Sequence, residues 1–149
     1  RDAQTILEAL GEYAPKTKDP DLLTEFVRQR LARHISSRFS DEEGIIHYFA
    51  LGPGAEEAIT QSLQTTEAGR MNLVLNPDVA RILINKVKDA AEAHANMGTV
   101  VLLAPPLARG PLAKLIEKVV PRLPVLSPAE LIPTVKLDRV VVVEVGVQA

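Results

Sequence analysis

Three histidines, His34, His47 and His94, are the first residues to weigh for metal or acid–base chemistry, and their spacing argues against a shared site. They fall in separate segments with no H-x-E or H-x-x-x-H arrangement, so no single helix face presents two of them to an ion. Gly52-Pro53-Gly54 comes nearest to a phosphate loop. Such a loop needs successive backbone N–H groups aimed at the anion, but the middle residue here has none, and Glu56 and Glu57 would repel phosphate. The tripeptide reads as a strand-to-helix turn. Arg109-Gly110-Pro111 reads similarly as a helix start. Ser127 as a nucleophile would need a base and an orienting acid, whereas Ser127-Pro128-Ala129-Glu130 already matches a capping box. Asp41 with Glu42, and Glu56 with Glu57, are sequence neighbours whose side chains diverge on any regular element, which does not suit paired acid–base catalysis. No residue is assigned a catalytic, metal-binding or cofactor-binding role.

The remaining concentration of charged side chains is basic. Arg28, Arg30, Arg33 and Arg38 gather towards the end of one helical segment. They suit the negative end of a helix dipole, and equally an acidic surface on a partner, which makes Arg28, Arg30 and Arg33 the candidate interaction residues. The net charge of −2, with both signs interspersed, gives no footprint for nucleic acid or anionic lipid. Three phenylalanines and two tyrosines are too few and too scattered to stack bases. The chain has no cysteine, which removes disulfides, thiolate ligands and thiol nucleophiles and suits a cytosolic setting.

Periodicity supplies the elements that must carry these residues. Ile6, Leu7, Leu10 and Ala14 form one helical stripe that Pro15 ends. Asp19-Pro20-Asp21 then has the cap, proline and acid of a helix start, and Leu23, Phe26, Val27, Leu31 and Ile35 share a face of the helix it opens. The two helices are expected to pack as a hairpin through Leu7, Leu10, Leu23, Phe26 and Val27. Ser36 to Gly44 reads as a polar linker, giving a helical part at 1–40 and an α/β part at 41–149.

From Ile45 the period changes. Ile45 to Leu51 reads as a strand, followed by a helix to about Gln64, a polar loop from Thr65, and a second strand at Met71 to Leu75. Asn76-Pro77-Asp78 opens the longest helix, which runs to Gly98. Thr99 to Ala104 is a continuous apolar strand, Leu112 to Val119 a third helix, Leu123 to Leu126 a short strand, and Val135 to Val147 a long final one. This order predicts a layered α/β domain with a mixed or parallel sheet. With 149 residues, 46% of them apolar, the chain is long enough to bury such a core. Its longest apolar run, around Val140 to Val143, falls far short of the roughly 20 residues of a membrane-spanning helix. It starts at Arg1, directly in helical periodicity, as expected of a piece of something longer.

Residues Thr5 to Ile35, TILEALGEYAPKTKDPDLLTEFVRQRLARHI, resemble a signature of the FHIPEP family of type III protein-export gates, which includes flagellar FlhA and injectisome counterparts. Asp19, Pro20, Leu23 and Phe26 lie in its most specific part. LNPDVARILI and VVLLAPPLARGPLAKLIEKVVPRLPVLSPAEL extend the resemblance over nearly the whole chain. The flagellar branch is preferred, although flagellar members usually carry a polar pair and E-I-P where Pro128 to Pro133 reads PAELIP. The resemblance implies the end of a helical subdomain and an α/β subdomain in the cytosolic part of a bacterial inner-membrane protein. It implies a non-enzymatic role: a homo-oligomeric ring, usually nine-fold, that receives chaperones and export substrates and meets other export-apparatus proteins. The rival from the residues alone is an α/β enzyme or small-ligand domain with its site at the strand carboxyl ends, near Gly52, Ala104 or Ser127.

Overall fold

The apolar run at Val100 belongs to a strand covered on both faces. In β4 (Val100–Leu103) every residue is buried. Val100 and Leu102 turn to one face of the sheet, Val101 and Leu103 to the other, because alternate strand residues point in opposite directions. The computed structural model describes residues 2–13 and 20–146. Within them β4 is flanked by β1 (Ile45–Leu51) and β5 (Val125–Leu126), and β6 (Lys136–Val143) lies beyond β1, giving the order β5-β4-β1-β6. All three pairings are parallel, as the α/β expectation allowed.

One face of the sheet packs against α4 (Pro53–Gln61), α5 (Pro77–Ala93) and α6 (Pro106–Glu117). Phe49, Leu102 and Val143 meet Ile59, Leu83, Val87, Leu112 and Ile116 there, and all eight are buried. The Asn76-Pro77-Asp78 reading holds at atomic detail: Asn76 Oδ1 accepts the Asp78 N–H at 2.8 Å. Gly98, at φ +80°, turns the chain from a 3-10 turn after α5 towards β4, a backbone conformation that side-chain-bearing residues rarely adopt. The other face holds Ile46, Val101, Leu103 and Leu126, covered in part by Ile35 and Phe39.

Several boundaries differ from the sequence expectation. The first helix of the α/β part ends at Gln61, and Leu63–Thr65 forms a strand, β2, which pairs antiparallel with β3 (Met71–Leu73). This hairpin stands apart from the main sheet. The final strand stops at Val143, and a bulge explains its doubly apolar middle: Tyr48 pairs with Arg139 but Phe49 with Val141, so Val140 is an extra residue. Ser36 to Phe39 is not linker. It completes a helix, α3 (Ala32–Phe39), whose Ser36 is buried, and the proposed 40/41 division falls just after the end of α3.

The helical arm comprises α1 (Asp2–Tyr13), α2 (Pro20–Arg30) and α3, with α1 packed on α2. Sequence periodicity carries α2 through to Ile35, but the helix breaks at Leu31, whose N–H is shared between the Val27 and Arg28 carbonyls. In α1 the inward residue is Ala9, fully buried, with Ile6 and Leu10 partly covered, whereas Leu7 is 68% exposed. The expected hairpin stripe therefore loses Leu7. Phe26 is only partly buried, so it is not the full core residue the stripe suggested.

Leu112 and Leu7 separate these two environments. Leu112→Ala is expected to cost about 2 to 5 kcal/mol, and Leu7→Ala no more than about 0.5 kcal/mol, in chemical denaturation. Equal costs would contradict the placement of α1.

Candidate functional site

Glu130 ends a short 3-10 turn, Pro128–Glu130, and is fully buried. The capping-box reading accounts for its backbone contact: its carboxylate accepts the Ser127 N–H at 3.5 Å. That contact alone would leave a buried charge uncompensated. Two arginines compensate it. Arg28 on α2 donates from Nε to Oε2 at 2.7 Å and from Nη2 to Oε1 at 3.0 Å, the parallel fork that a guanidinium and a carboxylate form best. Arg109 on α6 places Nε 3.4 Å from the same Oε2.

Arg109 also closes on Glu25. Its Nε lies 3.0 Å from both Glu25 oxygens, its Nη2 lies 2.9 Å from Oε2, and its Nη1 donates to the Val125 carbonyl at 3.0 Å. Glu25 is 6% exposed. Glu25 and Arg28 are three residues apart and so share a face of α2, while Arg109 and Glu130 come from the α/β part. Two acids and two bases thus cancel within one sheltered cluster. Burial disfavours the charged form of Arg28, but its bonds to Glu130 and the fields of Glu130 and Glu25 outweigh that cost and raise its pKa.

Two further ties hold the arm nearby. The Ser36 hydroxyl accepts the Ile132 N–H at 2.9 Å, and Lys114 Nζ lies 3.3 Å from Asp21 Oδ2. Arg109-Gly110-Pro111 is accordingly not a helix start. It lies inside α6, with Pro105 and Pro106 leading into that helix.

The candidate interaction residues divide in this arrangement. Arg28 turns inward to Glu130. Arg30 is exposed and paired with Glu12 of α1, and Arg33 is exposed with no ion pair among the described residues. Of the signature residues, Pro20 opens α2 at the surface, Leu23 and Phe26 are partly buried, and Asp19 lies outside the described residues.

The strand carboxyl ends, where an α/β enzyme would hold its ligand, carry a different feature. The N–H groups of Gly54 and Ala55 at the start of α4 donate to the carboxylate of Glu144, at 2.9 and 2.6 Å. These bonds, Gly54 first, keep the Glu144 pKa below its ordinary value of 4.5. A Cβ on Gly52 would sit 2.3 Å from Glu144 Oε2, so glycine is what lets the carboxylate in. An internal anion therefore occupies the seat that a phosphate would take. Ala104 and Ser127 are buried. The shallow depression beside them, about 450 Å³, is lined mostly by apolar and proline residues, with only Tyr48 and Glu56 offering side-chain polar groups. A wider cleft of about 640 Å³ opens at the opposite, amino-terminal ends of β4 and β5, over Phe39, Phe49, Val120 and Leu123. No group of three His, Asp or Glu side chains among the described residues is placed to hold a metal ion.

A model of the FHIPEP family matches residues 1–136. The chain belongs to the FHIPEP family. Among its relatives, the flagellar biosynthesis protein FlhA of Bacillus subtilis (strain 168) is 36% identical over 146 residues, covering 97% of this chain and 21% of that protein. The low calcium response locus protein D of Yersinia pestis is 33% identical over 132 residues, covering 88% of this chain and 19% of that protein. The chain thus spans about a fifth of the length of these curated relatives. The Chlamydia pneumoniae CdsV protein superposes with a TM-score of 0.86 at 33% identity, covering 95% of this chain and 40% of that one. Nonameric SctV-C of EPEC, solved by cryo-EM, gives 0.83 at 30% identity, covering 96% and 43%. The family resemblance and the α/β fold read from the sequence both hold, and the flagellar FlhA of Bacillus subtilis is somewhat more identical to the chain than the Yersinia pestis protein, CdsV or SctV-C.

Sequence reasoning did not find the Glu25, Arg28, Arg109 and Glu130 cluster or the Glu144 cap. The Ser127 to Glu130 capping pattern and the Glu25/Arg28 spacing were its visible traces. Arg109→Ala leaves Glu25 without its guanidinium and is expected to cost about 3 to 5 kcal/mol. Arg33→Ala should stay within about 0.5 kcal/mol. Urea denaturation of both variants checks this, and a neutral Arg109→Ala would show that the cluster contributes nothing to the fold.

Proposed function

We propose that this chain is part of the cytosolic portion of a bacterial type III protein-export gate, of the flagellar kind. The observation that carries this reading is the family match over residues 1–136, on a fold shared with CdsV and SctV-C. Its role is non-enzymatic: it serves as an assembly and receiving surface of a homo-oligomeric ring that takes chaperone–substrate complexes and passes them to a membrane channel. Two solved relatives are described as nonameric, and another as a complex of CdsV with CdsO, which supports both a ring and contacts with other export-apparatus proteins. The portion belongs at the cytoplasmic side of the inner membrane, and no helix among the described residues is long and apolar enough to cross a bilayer.

The enzyme alternative has less to stand on. Its expected anion seat is filled by Glu144, and the depression beside it lacks convergent polar groups. We also propose the division into a helical part, 1–40, and an α/β part, 41–149, as two units of the gate that the Glu25, Arg28, Arg109 and Glu130 cluster fastens together.

Arg30 and Arg33 supply the exposed basic face available to an acidic surface of a neighbouring subunit. Each exposed pair there is worth about 0.2 to 1 kcal/mol, multiplied around a ring by symmetry. Arg28 is excluded from this test because it holds the fold. An Arg30→Glu, Arg33→Glu variant of the full-length protein is expected to keep a normal circular dichroism spectrum while ring formation and protein export fall. Normal export would move the assembly role to the α/β part.

A further inference from the structure

His47 stands between two carboxylates. It is the third residue of β1, and its Nδ1 lies 2.7 Å from Asp138 Oδ2 on β6, while its Nε2 lies 2.8 Å from Asp41 Oδ2 in the turn before β1. A neutral imidazole has one N–H and one lone pair, so it would set that lone pair against one of the two carboxylates. Only the imidazolium donates to both. The two contacts together are therefore best met by a protonated His47.

The partners are not interchangeable. Asp41 is held in place independently: its Oδ1 accepts the N–H groups of Glu43 and Ile45 at 2.8 and 3.0 Å, and its own N–H donates to the Ile45 carbonyl at 2.8 Å. Asp138 instead lies on β6, which is bonded to β1 on one side and ends the sheet on the other. The turn that carries Asp41 leads from α3 into β1, so the imidazolium links the root of the helical arm to the sheet's outer strand. Backbone bonds run here too: the Lys136 N–H reaches the Gly44 carbonyl at 3.4 Å, and β6 pairs with β1 in parallel register from Ile45 and Lys136 onward.

We propose that His47 is a proton-operated tie between the 41–44 turn and the first half of β6, closed while the imidazole is charged and released when it is not. The surrounding charges are mixed. The turn also brings Glu42 and Glu43, β6 brings Lys136 and Arg139 beside Asp138, β4 places uncharged Val100 opposite His47, and the end of α3 brings Arg38, which stacks on Phe39. The Asp138 bond first, and the Asp41 bond second, raise the His47 pKa above its ordinary 6.5. Bonds from the Ile45 N–H and from His47 lower that of Asp41 below 3.8, so Asp41 stays ionised wherever His47 titrates. A raised histidine pKa means that the tie's stabilisation is fully present below the ordinary value and is lost as pH rises through the raised one. The opening therefore comes above the ordinary histidine value of 6.5. Opening the tie loosens the 41–44 turn against the start of β6, the edge strand, next to the joint of the arm.

The test is hydrogen exchange of this chain, corrected for intrinsic rates, from about pH 6 to about pH 9. Protection of the Lys136 to Arg139 amides is expected to fall several-fold across that range, while the Val101 to Leu103 amides hold theirs. In His47→Gln the β6 profile should be flat. In Asp138→Asn, the His47 ring resonances followed by NMR should titrate at a lower pH than in the parent chain. A flat parent profile, an unchanged slope in His47→Gln, or an unmoved His47 titration in Asp138→Asn would each overturn the proposal.

Discussion

The position of the helical arm depends on a buried carboxylate that has to be neutralised. Glu130 is fully enclosed at the end of its 3-10 turn, and the capping role that places it there supplies only one backbone partner. A lone buried charge costs several kcal/mol, so folds in which the arm is not seated are strongly disfavoured. Seating α2 brings Arg28 to Glu130 and Glu25 to Arg109 together, one face of one helix meeting two α/β elements. The gain is positional more than energetic, since an ion pair moved out of water roughly balances its own desolvation. The break at Leu31 fits this arrangement. α2 is anchored to α6 and the 3-10 turn, while α3 lays Ile35 and Phe39 on the sheet and Ser36 on Ile132.

The same economy of internal charges closes the place where this fold could otherwise hold a ligand. Parallel strands leading into helices concentrate N–H groups at the sheet's carboxyl edge, and α/β enzymes use them for anions. Here Glu144, just past the last strand, reaches the first turn of α4, and Gly52 leaves room for it. Arg28, Arg109 and Glu144 are thus directed at groups of the same chain, while exposed arginines remain on the helical arm (Arg30, Arg33, Arg38) and on the α/β part (Arg70, Arg81, Arg122, Arg139).

Local signals carried much of the architecture. Asn76-Pro77-Asp78, the Val100 run and the alternation after Val135 each act through neighbours in sequence, and each marks a true element. Strand β2 was missed because three residues, Leu63–Thr65, are too few to show a period against a helical flank. Leu7 was misplaced because an apolar stripe leaves its exact centre undetermined, and Ala9, small and easily overlooked, takes the inward position. The charge cluster was the hardest part to read. Arg28 and Glu130 are 102 residues apart, and Arg109 and Glu25 are 84, so nothing in either neighbourhood names the partner. An arginine on a helix face looks the same in sequence whether it meets solvent or a buried acid.

Hydrogen exchange of a Glu130→Gln variant tests the anchoring role most directly, since it removes one charge with almost no change in shape. The account predicts that the amides of α2 and α3 lose protection while those of β1 and β4 keep theirs, because the arm is loosened and the sheet is not. Unchanged protection in α2, or an equal loss throughout the chain, would contradict the claim that this carboxylate positions the arm.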